Sequence, residues 1–307
     1  IRDVLRQGHK LLLAGPSKAG KSFALIELCI AIAEGRPWLG FDCAQGRVLY
    51  VNLELDRASC LHRFRDVYNA LGWRSEHLAN LDIWNLRGRS VPMDQLAPRL
   101  IRRAAKKGYL AIVIDPIYKV ITGDENSADQ MAAFCNQFDK VCTELGCAVI
   151  YCHHHSKGSQ GGKRSMDRAS GSEVFARDPD ALLDLIELPV SEELRRQEVI
   201  RAVGRAVAAT LQRAGKLEEA SQDDLCIEKG ALEAARSLLS GRQYEDAAKY
   251  AEAARQAAES LTAWRIEGTL REFPKFPPVN LWFDYPIHRD DDSGVLADID
   301  PEGEDRK

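Results

Sequence analysis

The sequence predicts an α/β fold: a mainly parallel sheet flanked by helices, with a helical insertion and C-terminal strands. Three observations carry this reading. Up to about residue 188, short apolar runs alternate with amphipathic stretches, the pattern of strand–helix units laid into a parallel sheet. After Pro189 the chain turns rich in Ala, Glu, Arg, Leu and Gln, and the strand signal fades. From Thr262, extended stretches bearing aromatic residues return. These changes divide the 307 residues into a core at 1–189, an insertion at 190–261, and strands at 262–307 that return to the core and end in an acidic tail.

The elements follow in order. KLLLAG is a strand, and a helix runs from Lys21 to Glu34. GRVLYVNLE is a strand closing on Glu54, followed by the helical DRASCLHRFRDVYNAL. LDIWNL is a strand, MDQLAPRLIRRAAKKG a helix, and LAIVID a strand ending in Asp115. SADQMAAFCNQFDKVCTELG is a helix whose Ser127 and Gln130 have the spacing of a capping box. CAVIYCH and DALLDLIEL complete the strands of the core. In the insertion, RQYEDAAKYAEAARQAAES has helical spacing with a polar face, and Gly230 and Gly241 are the expected breaks. A helical hairpin or small bundle results. AWRIEGTLREF and PVNLWFDYPIH each read as extended, and the tail from Arg289 is expected to fray at its end.

Composition narrows the function. Apolar residues make up 45% and charged residues 29%, as in ordinary globular chains. A net charge of −4 and a pI near 6.0 exclude a wholly basic nucleic-acid coat but allow a local basic site. No run approaches the roughly 18 apolar residues of a membrane span, and IRDVLRQGHK lacks the order of a secretory signal. A cytoplasmic protein without membrane contact is expected. The first residue is Ile, which points to a trimmed fragment. Cysteines stand at 29, 43, 60, 135, 142, 147, 152 and 226, with no CxxC pair and several in apolar runs. Buried reduced thiols are expected, not disulfides or zinc ligands.

The chemistry begins at Gly15-Pro16-Ser17-Lys18-Ala19-Gly20-Lys21-Ser22, which fits G-x-x-x-x-G-K-[ST] between a strand and a helix. Glycines let backbone N–H groups turn inward around phosphate oxygens, and the helix N-terminus adds partial positive charge. Lys21 is expected on the β- and γ-phosphates and Ser22 on Mg²⁺. The competing reading is an ordinary Gly-rich turn. Asp115 supplies the second group for Mg²⁺, at a strand end that faces the crevice of an open parallel sheet; a strand-end Asp also serves as a turn former. Pro116 follows it where many phosphate-loop ATPases place a Glu. The water-orienting base is therefore sought at Glu54, against the alternative of a solvated strand-end Glu. His153 or His154 is expected at the γ-phosphate, against the alternative of a plain surface loop. Metal binding by the histidine run is disfavoured, because neighbours in an extended segment point to opposite faces and no zinc spacing lies nearby. The loop SKGSQGGKRSMDRASGS carries Lys157, Lys163, Arg164 and Arg168. It fits contact with a nucleic-acid backbone, an arginine donated to a neighbour's γ-phosphate, or a solvated surface loop. It has no aromatic residue, so single-strand binding there would depend on charge more than on stacking.

Taken together, GPSKAGKS, Glu54 in VNLE, IVIDP, and HHHSKG followed by RASG resemble the RecA-like P-loop ATPases. They are most similar to the AAA_25 or RepA-like family of hexameric plasmid and phage replicative helicases. The resemblance covers roughly residues 8 to 188, with weaker echoes in the final strands. It implies a RecA-like P-loop NTPase core acting as a hexameric ring, with ATP and Mg²⁺ between subunits and single-stranded DNA through the centre. In that scheme Lys21 and Ser22 hold phosphate and Mg²⁺, Glu54 is the base and Asp115 the Mg²⁺-side carboxylate. His153 or His154 is the γ-phosphate sensor, and Arg168 an interface arginine with Arg177 or Arg205 as competitors. The chain departs from compact relatives in the stretch of about 70 residues between DALLDLIEL and AWRIEGTLREF. That stretch is expected to bind a protein partner or another subunit, or to pack on its own core. The function implied is an ATP-hydrolysing DNA motor in replication of a plasmid, phage or other mobile element. The alternative is a nucleotide-switched regulatory or assembly ATPase. A small-molecule phosphotransferase would need an acceptor pocket and lid that the sequence does not display.

Overall fold

Nine strands form one sheet in the order β3-β2-β4-β5-β1-β6-β7-β8-β9 in the computed structural model, which describes residues 1–125, 127–154 and 173–301. The chain divides into two compact units, Ile1–Leu188 with Trp264–Lys307, and Pro189–Ala263. In the first unit β1 (Lys10–Gly15), β2 (Arg47–Asn52), β3 (Leu81–Asn85), β4 (Tyr109–Asp115), β5 (Ala148–His154) and β6 (Ala181–Leu188) are joined as parallel neighbours. The helices between them are α1 (Lys21–Glu34), α2 (Arg57–Leu71), α3 (Met93–Ala104), α4 (Ala128–Leu145) and the short α5 (Glu173–Arg177).

Burial on both faces explains why these strands read as unbroken apolar runs. Along β1, Leu11 and Leu13 face a core shared with α1 and α2, while Leu12 and Ala14 face a core shared with α3 and α4. In β4, Val113 joins the first core and Ile112 and Ile114 the second. Each such leucine or isoleucine contributes roughly 1.5–3 kcal/mol by leaving water. Helix α1 is buried along nearly its whole length, carboxylates included. Glu34 accepts from the Tyr68 hydroxyl at 3.0 Å and from the His77 backbone N–H. Glu27 accepts from the backbone N–H of His288 at 3.2 Å and lies 2.7 Å from its Nδ1. Burial pushes the Glu27 carboxyl up from its ordinary value, and His288 opposes the shift.

After β6 the chain enters the second unit: α6 (Glu192–Arg213), α7 (Gln222–Leu225), α8 (Glu228–Leu238) and α9 (Gly241–Glu259). Ser191 caps α6 through the N–H of Leu194, and Ser240 and Gln243 form a capping box on α9. The chain returns through β7 (Thr262–Leu270), β8 (Val279–Asp284) and β9 (Ile287–Asp290). Arg271 N donates to Asp180 O at 2.9 Å, so the end of β7 meets the start of β6 and the two run antiparallel.

Four expectations are corrected. β2 ends at Asn52, so Glu54 stands in the following loop. Ser127 makes no side-chain capping bond, and the reciprocal half of the box is lost because Gln130 Oε1 accepts from Asp124 N at 2.8 Å. Gly230 does not break a helix; it sits in the first turn of α8, where a Cβ would meet the Asp224 carbonyl oxygen at 2.7 Å. PVNLWFDYPIH is not one strand but the antiparallel hairpin β8–β9, turning at Tyr285–Pro286. In the tail, Arg265 holds the carbonyls of Leu296 and Ala297 at 3.1 Å. The expected fraying falls on residues 302–307, outside the described residues. Among the described residues no helix is long and apolar enough to cross a membrane.

Candidate functional site

Strands β1, β5, β4 and β2 end along one edge of the sheet. The register sets Gly15 opposite His154, Ala14 opposite His153, and Asn52 opposite Asp115. A cavity of about 540 Å³ opens at this edge. Its walls include Ser17, Lys18, Ala19, Gly20, Lys21, Ser22, Glu54, Asp115, His153 and His154. Topology thus gathers groups that are more than a hundred residues apart in sequence.

The loop from Pro16 to Gly20 takes its shape from two left-handed residues, Lys18 at φ 65° and Gly20 at φ 74°. At Gly20 a side chain is disfavoured twice over, by the positive φ and because a Cβ would lie tightly, 3.1 Å from the His288 ring. Gly20 caps α1 without a side chain, and the first turn holds no acidic residue. The first N–H groups of α1 therefore meet no carboxylate of the helix itself, and the helix end is suited to an anion. Lys21 is buried, and its Nζ donates to the carbonyls of Gly15 at 2.8 Å and Pro16 at 2.6 Å. Burial lowers its pKa, and the charge of Asp115 opposes the shift.

Asp115 closes β4 with its side chain buried. The Tyr50 hydroxyl donates to Oδ2, and the Cys152 thiol to Oδ1 at 2.9 Å. Glu54 is exposed and sits in a turn shaped by Asn52. Asn52 Oδ1 accepts from Leu55 N at 2.9 Å, and its Nδ2 donates to Leu55 O and to Asn85 Oδ1. The two histidines differ. His154 Nδ1 lies 3.4 Å from Lys21 Nζ. His153 is buried, edge-on to Phe175 at 5.1 Å, with Nε2 3.6 Å from the Glu125 carboxylate. Burial, with His154 and Lys21 nearby, holds its pKa down to about 4, so at neutral pH the Glu125 contact is not an ion pair.

Lys157, Lys163, Arg164 and Arg168 lie outside the described residues. Arg177 ends α5, where its carbonyl accepts from Arg271 at 3.0 Å, and Arg205 stands on α6 of the second unit. Neither lines the cavity among the described residues.

Several residues of the cavity wall, and Tyr50, which bonds Asp115 without lining the cavity, escaped the sequence reading. Tyr50, Asn52 and Cys152 sit inside strands and look like strand filler. The signal that would have found Tyr50 and Asn52 is polar atoms at alternate positions of an apolar strand, leading to Glu54. Phe23, Arg63 and Phe283 had no local signal. Phe23 and Phe283 approach to 5.8 Å between ring centres, with the Arg63 guanidinium 4.9 Å over Phe23. All three line the cavity beside Ser22.

For Mg²⁺, the donor chemistry is suitable. This ion takes few protein ligands and fills its octahedron from phosphate and water. Ser22 and Asp115 on the rim of one cavity offer such a set.

Two comparisons bear on the family and the fold. The profile of the AAA_25 family, described as an AAA domain, matches residues 1–160, a span that holds the Gly15–Ser22 loop, Glu54, Asp115, His153 and His154. The solved "ATPase Domain of G40P" superposes with a TM-score of 0.50 at 13% sequence identity, covering 93% of this chain and 86% of that one. At that identity the likeness shows the fold, which is RecA-like. On the family match over more than half its length, the chain belongs to the AAA_25 family of AAA domains.

Proposed function

We propose that this protein binds ATP with Mg²⁺ in the P-loop cavity, hydrolyses it, and uses the cycle to move single-stranded DNA through a hexameric ring. The observation that carries the reading is convergence: a helix N-terminus with no side-chain cap, a lysine, a buried carboxylate, a second carboxylate and a histidine surround one cavity at one sheet edge. In this scheme the N–H groups from Ala19 to Ser22 take the phosphate oxygens. Lys21 exchanges the carbonyls of Gly15 and Pro16 for the β- and γ-phosphates. Glu54 orients the attacking water, and Asp115 and Ser22 hold the metal side. Mg²⁺, when bound, supplies neutralisation of charge on the phosphate oxygens. Of the two histidines, His154 is the better γ-phosphate sensor because it already faces Lys21. Arg168, Arg177 or Arg205 would serve as the arginine from a neighbouring subunit, and Lys157, Lys163 and Arg164 would meet the DNA backbone. A role in replication of a plasmid, phage or other mobile element belongs to the same proposal.

One observation favours a second reading, a nucleotide-switched assembly ATPase. The second unit carries a groove of about 530 Å³, with Ile200, Ala208, Leu217 and Leu225 among its walls, as a protein partner would require.

The test is steady-state ATP hydrolysis with and without single-stranded DNA. Stimulation by DNA that weakens with added salt is expected, and Lys21→Ala is expected to lower turnover roughly a hundredfold or more. Slow turnover indifferent to DNA would remove the motor reading and favour the switch. Failure to bind nucleotide would remove both.

A further inference from the structure

The carboxylate of Asp115 is held from both sides of its own strand. Tyr50 on β2 donates to one oxygen and Cys152 on β5 to the other. Strand order produces this, because β4 lies between β2 and β5 in the sheet. Parity completes it: Asp115 shares a sheet face with Val113, Tyr50 with Val48, and Cys152 with Ile150, and that face packs on α1 and α2. The Tyr50 ring is fixed in turn by an edge-on contact with Phe64 of α2, 5.2 Å between centres at 83°. Both donors are buried, at 1% and 2% exposure.

These contacts do more than satisfy buried atoms. A carboxylate at a strand end is free to rotate about its Cβ–Cγ bond. Two donors from opposite sides fix its plane, leaving one lone pair on each oxygen for the cavity. Rotation would strand a buried hydroxyl or thiol, which is costly. Groups that orient a metal-side ligand set metal affinity without touching the ion.

We propose that Tyr50 and Cys152 are positioning residues that fix the Asp115 carboxylate and thereby set the Mg²⁺ affinity of the nucleotide site. The proposal rests on the nucleotide reading of the cavity. It assigns function to a hydroxyl and a thiol that donate from within the sheet, and it ranks replacements by donor ability rather than by size.

The test measures binding of a fluorescent, non-hydrolysable ATP analogue in EDTA and across a Mg²⁺ titration, so no turnover is involved. In Tyr50→Phe, which keeps the ring against Phe64, the half-saturating Mg²⁺ concentration is expected to rise roughly tenfold or more. Cys152→Ala is expected to shift the same way, and Cys152→Ser, which restores a donor, to stay near the wild type. The cysteine pair decides the matter if Tyr50→Phe melts early in EDTA. A Mg²⁺ requirement unchanged in both Tyr50→Phe and Cys152→Ala overturns the proposal, as does Cys152→Ser behaving like Cys152→Ala. A wild-type protein that binds no analogue under either condition overturns the nucleotide reading, and this inference with it.

Discussion

His153 and His154 are adjacent in sequence yet occupy different environments, because successive side chains of a strand point to opposite faces. His154 faces Lys21, while His153 lies against Phe175 with 4% exposure. This gives His153 a pH signature. Its folded pKa is lowered to about 4, chiefly by burial, whereas an unfolded histidine titrates near 6.5. Between these values the unfolded chain binds the extra proton, so the contribution of His153 to stability is fully present above pH ~6.5 and is lost as pH falls toward 4. The window corresponds to about 3 kcal/mol. In His153→Gln, urea denaturation is expected to show a smaller loss of stability from pH 7 to 4.5 than in the wild type, by about 2 kcal/mol. Equal losses in the two proteins would refute the assignment. The sequence pointed to a histidine at this strand end, but not to which one: the choice depends on what lies over each face of β5.

At the scale of the element, two glycines in the second unit illustrate how packing overrides propensity. Gly204 lies inside α6, where alanine is intrinsically favoured by about 1 kcal/mol. A Cβ there would come within 2.2 Å of the Leu225 carbonyl oxygen, a backbone atom that no side-chain rotation can move aside. Overpacking of this kind costs roughly 1–3 kcal/mol or more, so Gly204→Ala is expected to lower the thermal midpoint. Gly241 opens α9, and a Cβ there meets nothing within 4 Å; Gly241→Ala is expected to be neutral or slightly stabilising. Equal behaviour of the two variants would contradict the close approach of α6 and α7. The sequence marked Gly230 and Gly241 as breaks and passed over Gly204. Gly241 does begin a helix, but Gly230 and Gly204 are glycines because a neighbouring backbone crosses them, and periodicity carries no record of a neighbour.

For the whole molecule, the decisive relation is between β6 and β7. They are antiparallel neighbours in the sheet, and residues 190–261 leave from the end of one and re-enter at the start of the other. β6 and β7 therefore pair directly within the sheet. Replacing 190–261 with a short Gly-Ser linker is expected to preserve the fold of the first unit and binding of an ATP analogue within a fewfold of the wild type, since a hairpin needs only a short loop. Loss of the folded sheet in that variant, read by circular dichroism and thermal unfolding, would show instead that the inserted helices support the core.

By itself the sequence determined what local covalent pattern controls: the alternation of strands and helices, the Gly-rich loop before α1, the acidic end of β4 and the histidines ending β5. Such features follow from backbone dihedral preferences and from periods of 2 and 3.6 residues, which a short window contains. Tertiary structure alone decided what strand order brings together. It set Tyr50 and Cys152 on either side of Asp115, and it folded the C-terminal hairpin so that His288 meets Glu27 across 261 residues and Phe283 joins the wall of the cavity. The physical reason is that strand order follows from the burial of whole faces. No short segment records which distant strand will lie beside it.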